Sequence, residues 1–314
     1  MVIDIPRLVR DLIPLTRSVE RMSVACVHTT RPKYLVFASD AGRPAFVVQF
    51  GAAEQLERTH RALRHLHVQL PDAVAESLVC TRFSARECVH IQTGLAGLPW
   101  FRVADLCRDR TEWTGLVERC LGVLTRLQAA VAQKPQWTGN VHPGRQLRER
   151  LKASRLEIIN AHSHTIARWT DALDNVGHVA ATWQHGDFSV NNLLIGHTGI
   201  GVIDFDEFGD TMMPLHDEMG LALSFPLSQH GVCPLTIAQC LQLCLAPALS
   251  AGAFDIDATR GLLLHHLLWR IEQCHDCPPR DRLRATLTRY VHELIVNPEG
   301  LLGEMDLRSA VAAL

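Results

Sequence analysis

Several things are scarce in this chain, and each scarcity closes off a class of answer. No run approaches the roughly 18 consecutive uncharged apolar residues that a membrane-spanning helix needs. The opening segment, MVIDIPRLVRDLIPLTRSVERM, is broken by charges and lacks the apolar core of a signal peptide, so the expected location is cytoplasmic. Excess charge is missing too. Its 31 Lys and Arg against 33 Asp and Glu leave a net −2, which invites neither nucleic acid nor an anionic membrane. Paired cysteine motifs are scarce although the chain has ten cysteines. The one tight pair, Cys274 and Cys277, has no second pair at similar spacing, as a zinc knuckle requires. The cysteines therefore read as reduced thiols. Lysine is absent over the whole stretch between Lys33 and Lys134.

What is present is 314 residues, 47% of them hydrophobic, enough for one large domain or two lobes with substantial cores. Residues 22–50 read as three short strands, SVACVHTT, KYLVFAS and AFVVQFG, separated by Gly/Pro turns in an antiparallel meander. From Ala52, Leu56, Leu63 and Leu66 recur at helical spacing, and Pro71 follows. Two more strands, ESLVCTRF and ECVHIQTG, precede a glycine-punctuated link, TGLAGLPW, over residues 93–100. Beyond Phe101 the pattern turns helical, with long amphipathic stretches at 105–133 and 144–176 and four or five helices after Pro214. The expected class is α+β. A small antiparallel β-rich lobe (1–92) is followed by a hinge (93–100) and a larger helical lobe (101–314) carrying a hairpin-bearing segment at 183–210.

That segment, WQHGDFSVNNLLIGHTGIGVIDFDEFGD, holds the chemistry. NLLI and GVID are short apolar runs on either side of a Gly-rich turn, so antiparallel pairing is expected. Pairing brings Asp187 and Asn192, before the first strand, towards Asp204, after the second. Asn192 and Asp204 are hard oxygen ligands suited to Mg²⁺, which takes few protein ligands and fills its shell with water and phosphate. Asp187 is left to accept a proton from an attacking hydroxyl. Together these are the parts of phosphoryl transfer, in which catalysis is mostly positioning and charge neutralisation.

The order HGDFSVNN then IDFDEFGD resembles the aminoglycoside phosphotransferase and choline kinase family, small-molecule kinases of the protein-kinase-like fold. The resemblance spans roughly residues 22–225. It implies Asp187 as catalytic aspartate, His185 as a brace of its loop, Asn192 and Asp204 as metal ligands, and Asp217, in PLHDEMG, as a residue packing back on the loop. It also implies a hinge at TGLAGLPW, with main-chain hydrogen bonds to adenine from Thr93 and Leu95. ATP or GTP, Mg²⁺ and a small-molecule hydroxyl acceptor follow as expected partners. Trp269, Arg270 and Glu272 fall where the family builds its acceptor pocket. No oligomeric state is implied.

The chain departs from the family at one point. Where kinase-like folds carry a phosphate-gripping lysine on the third strand, this sequence has Gln49, which donates a hydrogen bond but brings no charge. The helix glutamate that would hold such a lysine maps either to Glu57 or, by the leucine register, to Thr59. Lys33 begins the second strand and is a poor match for the missing position, although Arg31 or Lys33 could lend charge to the glycine-free turn HTTRPK, and Arg43 is another source. Three readings remain: an active kinase with rearranged phosphate contacts, an inactive pseudokinase acting as a nucleotide- or protein-binding module, and a nucleotidyl transferase.

Overall fold

The computed structural model describes residues 4–16, 21–27, 32–38, 42–197, 199–228, 233–274 and 280–302. It divides into two compact units, Met1–Val103 with Asn192–Phe208, and Ala104–Asn191 with Gly209–Leu314. The turn at Arg31 and Cys277 lie outside the described residues.

The first unit is built on a five-stranded antiparallel sheet of β1 (Met22–Val27), β2 (Lys33–Ala38), β3 (Phe46–Ala52), β4 (Ser77–Arg82) and β5 (Glu87–Thr93), in the order β1-β2-β3-β5-β4. All five strands fall where the alternation places them. Besides a short helix at Trp100–Val103, two longer helices are described in this unit. One, α1 (Ile5–Leu12), begins at Asp4, whose side chain accepts the Arg7 N–H, with proline in the first turn, a cap and start signal that overrides the interrupting charges. It buries Ile5 and Val9 against Val36, Val48, Val89 and Ile91 of the sheet. The other, α2 (Ala53–Gln69), buries Leu56, Leu63 and Leu66, the leucines whose spacing announces it.

The paired runs of the hairpin are Leu193–Ile195 and Ile200–Val202, antiparallel, with Ile200 opposite Ile195. The link supplies a third strand, because Leu98 and Pro99 pair with Ile195 and Leu194. Gly97 makes that approach possible: its φ is +131°, and a Cβ there would stand 2.8 Å from the Leu194 carbonyl carbon. Val202 N–H donates to the Ala73 carbonyl at 2.7 Å, which ties the hairpin to the residues following α2.

The second unit is helical apart from a two-stranded ribbon, Thr138–Val141 with Val179–Thr182, which the sequence does not announce. Several of its helices start at side-chain caps, among them Asp109 before Arg110–Ala132, Thr236 in a reciprocal capping box with Gln239 before Ile237–Ser250, and Asp255 before Ile256–Gln273. The amphipathic stretch at 144–176 is not continuous. It breaks into Pro143–Ala153, Glu157–Ala161 and Ser163–Val176, because Ser154 is extended (ψ 140°) and its hydroxyl accepts the Leu156 N–H.

The helix Ile256–Gln273 is buried nearly all round, so the polar groups it carries must be bonded or costly. His265 is of the costly kind. It is 2% exposed, and neither ring nitrogen has a hydrogen-bond partner among the described residues. Burial pushes its pKa down to about 3. A histidine depressed in the folded state contributes stability above its ordinary value near 6.5 and loses it as pH falls towards about 3. His265→Leu should therefore leave the urea midpoint unchanged or raised at neutral pH, and should flatten the acid limb. A variant that unfolds more easily than the parent at pH 7 would refute this assignment.

Candidate active site

The loop around Asp187 is held by one face of the helix His216–Leu227. Asp217, 1% exposed, accepts the His185 N–H at 2.7 Å on one carboxylate oxygen and the Gly186 N–H at 3.0 Å on the other. Gly220 lies close enough that a Cβ would meet the Phe188 carbonyl oxygen at 3.1 Å. The Ser224 hydroxyl accepts the Val190 N–H at 3.0 Å. Positions 217, 220 and 224 recur at helical spacing, so a single helix face grips the loop from residue 185 to residue 190. Gly186 has φ +90°, a conformation that favours glycine, and this turn precedes Asp187.

The Gly186 carbonyl is held as well. Only a donor can bond a carbonyl, so Nε2 of His216, 3.2 Å away, carries the proton. Its Nδ1 is then the acceptor for Nδ1 of His266 at 3.3 Å. Burial keeps both rings neutral, with His216 pushed down to about 3 and His266 well below its ordinary value. Trp269 stands edge-on to His216 at 4.6 Å, and His185 packs edge-on against Phe188 at 5.8 Å. Asp187 itself faces a guanidinium, with Arg270 Nη1 2.8 Å from its Oδ1.

In the first unit, Ile203 N–H donates to the Asn192 carbonyl at 2.9 Å, which brings the two ends of the hairpin, and with them Asn192 and Asp204, together. Asp204 adopts a left-handed backbone (φ 66°, ψ 64°), a conformation that a short polar side chain tolerates and that clusters at functional positions. Its Oδ1 lies 2.6 Å from Nζ of Lys33. Asp206 accepts both bonds of the Gln49 amide, at 3.0 and 3.1 Å, and stands 3.8 Å from the same ammonium. Behind this group, the Thr59 hydroxyl donates to the Phe205 carbonyl and Gln55 to the Asp206 carbonyl. Asn192, Asp204 and Asp206 are all hard oxygen donors, a set that suits Mg²⁺. Among the described residues no three His, Cys, Asp or Glu side chains form a metal cluster, so a cation here would lean on water and phosphate for the rest of its shell.

A model of the phosphotransferase enzyme family (APH) matches residues 31–240. The chain belongs to this family. No curated relative matches it. Among solved structures, a thermostable mutant of aminoglycoside phosphotransferase APH(4)-Ia, in ternary complex with ADP and hygromycin B, is similar at TM-score 0.58 and 15% identity, covering 91% of this chain and 97% of that one. Amicoumacin kinase hAmiN, in complex with AMP-PNP, Ca²⁺ and Ami, gives TM-score 0.57 at 11% identity over 93% and 94%. The GDP and kanamycin complex of APH(2")-IIIa gives 0.56 at 12% over 91% and 96%. At these identities the likeness is one of fold, and the fold is kinase-like.

Against that family pattern, the departure at Gln49 takes on a definite shape. In the antiparallel register Lys33 of β2 lies directly opposite Gln49 of β3. Opposed residues project from the same sheet face with Cβ atoms roughly 5 Å apart. By sequence Lys33 is a poor match for the missing position because it begins the second strand and not the third. The signal that could have found it is that Lys33 is the sole lysine in the first 133 residues. Glu57 does not serve as its partner; it pairs with Arg82. The position facing the Asp204 loop is Thr59. Arg43 is exposed. Thr93 N–H donates to the Glu76 carbonyl within the sheet, and Leu95 packs beside Gly201. Of the C-terminal candidates, Trp269 packs on His216, Glu272 pairs with Arg150, and Arg270 reaches Asp187.

Burial pushes Asp217 up to about 8, against the pull of its two N–H donors. A raised carboxyl gives stability that is present below its ordinary value of 3.8 and lost as pH rises through about 8. The buried histidines act in the opposite sense, and His90, pushed down to about 4, joins His216 and His265. With His266 depressed as well, the histidines outnumber the two raised carboxyls, Asp217 and Glu218, and predict a net loss of stability as pH falls from 6.5 towards 4. Asp217→Ala strands two buried N–H groups at roughly 1–3 kcal/mol each. It should cost about 2–6 kcal/mol in denaturant unfolding at pH 7, with Asp217→Asn, which keeps one carbonyl acceptor, losing less. Equal losses in the two variants would show that the paired acceptor is not what holds the loop.

Proposed function

We propose that this protein is an ATP-dependent phosphotransferase that moves the γ-phosphate to a hydroxyl of a small molecule. The observation that carries the reading is the Lys33 ammonium 2.6 Å from Asp204, in a chain with no lysine on the third strand. A kinase-like site needs a mobile cation beside the metal-binding aspartate to grip the α- and β-phosphates. Here that cation comes from the neighbouring strand, on the same sheet face, and Gln49 is occupied by Asp206.

In this reading Asn192 and Asp204 would hold Mg²⁺, which when bound neutralises phosphate oxygens. Lys33 leaves Asp204 for the phosphates when nucleotide binds. Asp187 accepts the proton of the acceptor hydroxyl as that oxygen attacks the γ-phosphorus and the bond to the leaving ADP oxygen breaks. His185 and Asp217 keep the loop in place, and main-chain groups at Thr93 and Leu95 meet the base. ATP and GTP are both candidates, since the relatives in complex carry ADP, AMP-PNP or GDP. The Gln49–Asp206 bonds favour one rival, a pseudokinase that binds nucleotide or a protein without turnover, because they occupy two groups that an active site would direct at ligands.

Calorimetric titration of Mg²⁺-ATP and Mg²⁺-GTP tests this, together with a thermal shift against metal alone. Lys33→Ala should weaken nucleotide binding by about 10- to 100-fold, the worth of a charge-assisted hydrogen bond. The double variant Lys33→Ala/Gln49→Lys, which returns the lysine to the third strand, should recover part of the loss. Asp204→Ala should abolish the metal dependence of the shift. No nucleotide binding by the parent at millimolar concentration, or binding with no ADP released in the presence of any hydroxyl acceptor, would turn the reading to the pseudokinase.

A further inference from the structure

The loop bearing Asp187 opens on a cavity of about 370 Å³ that lies wholly within the second unit. This is near the small end of the ~300–1,000 Å³ typical of small-molecule sites. Two of the similar solved structures are complexes with hygromycin B and with kanamycin, both polyamines. A polyamine wants several carboxylates. Among the described residues lining this cavity, Asp187 is the only carboxylate; it faces Arg270, and a second guanidinium, Arg280, shares the wall. The one histidine in the wall, His266, is neutral through burial. The remaining lining is glycine, serine, asparagine and leucine, so the described wall carries one net positive charge before any ligand arrives.

The two arginines are fixed in different ways. Arg270 extends from the helix Ile256–Gln273 and pairs with Asp187 at 2.8 Å. Arg280 precedes the helix Asp281–Val296 and donates through Nη1 to the Gln273 carbonyl at 3.2 Å. That bond uses one of five N–H donors and sets the guanidinium at the cavity wall. Guanidinium groups lining a small polar cavity match the paired oxygens of carboxylate or phosphate groups.

We propose that this cavity takes a compact hydroxylated anion, a hydroxy acid or a sugar phosphate, whose acidic group is held by Arg270 and Arg280 while its hydroxyl faces Asp187. The proposal rests on the phosphotransferase reading and adds the acceptor's chemical class. It also gives the Arg270–Asp187 pair a purpose. The guanidinium neutralises the Asp187 carboxylate in a partly enclosed site. An arriving carboxylate or phosphate offers Arg270 a second partner and turns the Asp187 oxygen towards the hydroxyl. The acceptor oxygen then bonds to the γ-phosphorus, the bond to ADP breaks, and the proton passes to Asp187 and on to solvent. A polyamine would do the reverse, bringing positive charge against two arginines.

The test is isothermal titration of the full chain, with and without Mg²⁺-AMP-PNP. Gluconate and glycerate form the carboxylate arm, glucose 6-phosphate and glycerol 3-phosphate the phosphate arm, glucose and glycerol their neutral counterparts, and kanamycin the polycation. At least one anion should bind about tenfold more tightly than its neutral counterpart, with an affinity that falls as salt is raised. Arg280→Gln should remove that preference, Arg280→Lys should restore part of it, and Arg280→Glu should shift it towards kanamycin. Which anionic arm binds identifies the acid group. Failure of every anion at millimolar concentration, equal binding of the neutral compounds, tighter binding of kanamycin, or indifference to Arg280→Gln would each overturn the proposal. Anion binding without nucleotide binding would instead sink the phosphotransferase reading and leave the anion site standing, so the two failures are distinguishable.

Discussion

Two backbone N–H groups converging on the buried Asp217 carboxylate hold the segment on which the rest of the second unit's site is built. A buried carboxyl is costly unless its oxygens are matched, and here they are matched by the loop itself, so the loop cannot relax without exposing the cost. His216 secures the Gly186 carbonyl, Ser224 secures Val190, and Gly220 allows the close approach. Asp187 thus projects from a backbone fixed on both sides, the rigidity that the proposed role of proton acceptor calls for.

In the first unit a lysine of the neighbouring strand stands beside Asp204, where the third strand carries glutamine. A β-sheet allows the exchange because register puts residues of neighbouring strands side by side on one face. Lysine at position 33 and lysine at position 49 would start from adjacent points, and a four-carbon side chain covers the difference. Gln49 then becomes part of the support, bonding Asp206 and so steadying the turn that follows Asp204. The second carboxylate near Lys33 is a consequence of that turn.

Legibility in the sequence followed the range of the physics. The five strands and α2 were readable because period-2 and period-3.6 patterns are local, and the Gly and Pro punctuation between them is local too. The break at Ser154 was not readable, since a hydroxyl accepting a nearby N–H leaves the apolar spacing on either side almost intact. Neither was the ribbon Thr138–Val141 with Val179–Thr182, whose halves lie far apart in the chain and carry little alternation. In the candidate site, His185, Asp187, Asn192, Asp204 and Asp217 could be named from motif order. Ser224 could have been found from its helical spacing to Asp217, and Lys33 from being alone of its kind over a long stretch.

What the sequence determined by itself was the class of elements, the family and the acidic and amide residues that family chemistry requires, because each is written in short spacings. What only the tertiary structure decided was which charges meet. That Lys33 reaches Asp204, that Gln49 is tied to Asp206, and that Arg270 stands on Asp187 depend on strand register and on helices more than 80 residues from the loop they face. Coulomb and hydrogen-bond energies act over a few ångströms of space and are indifferent to distance along the chain.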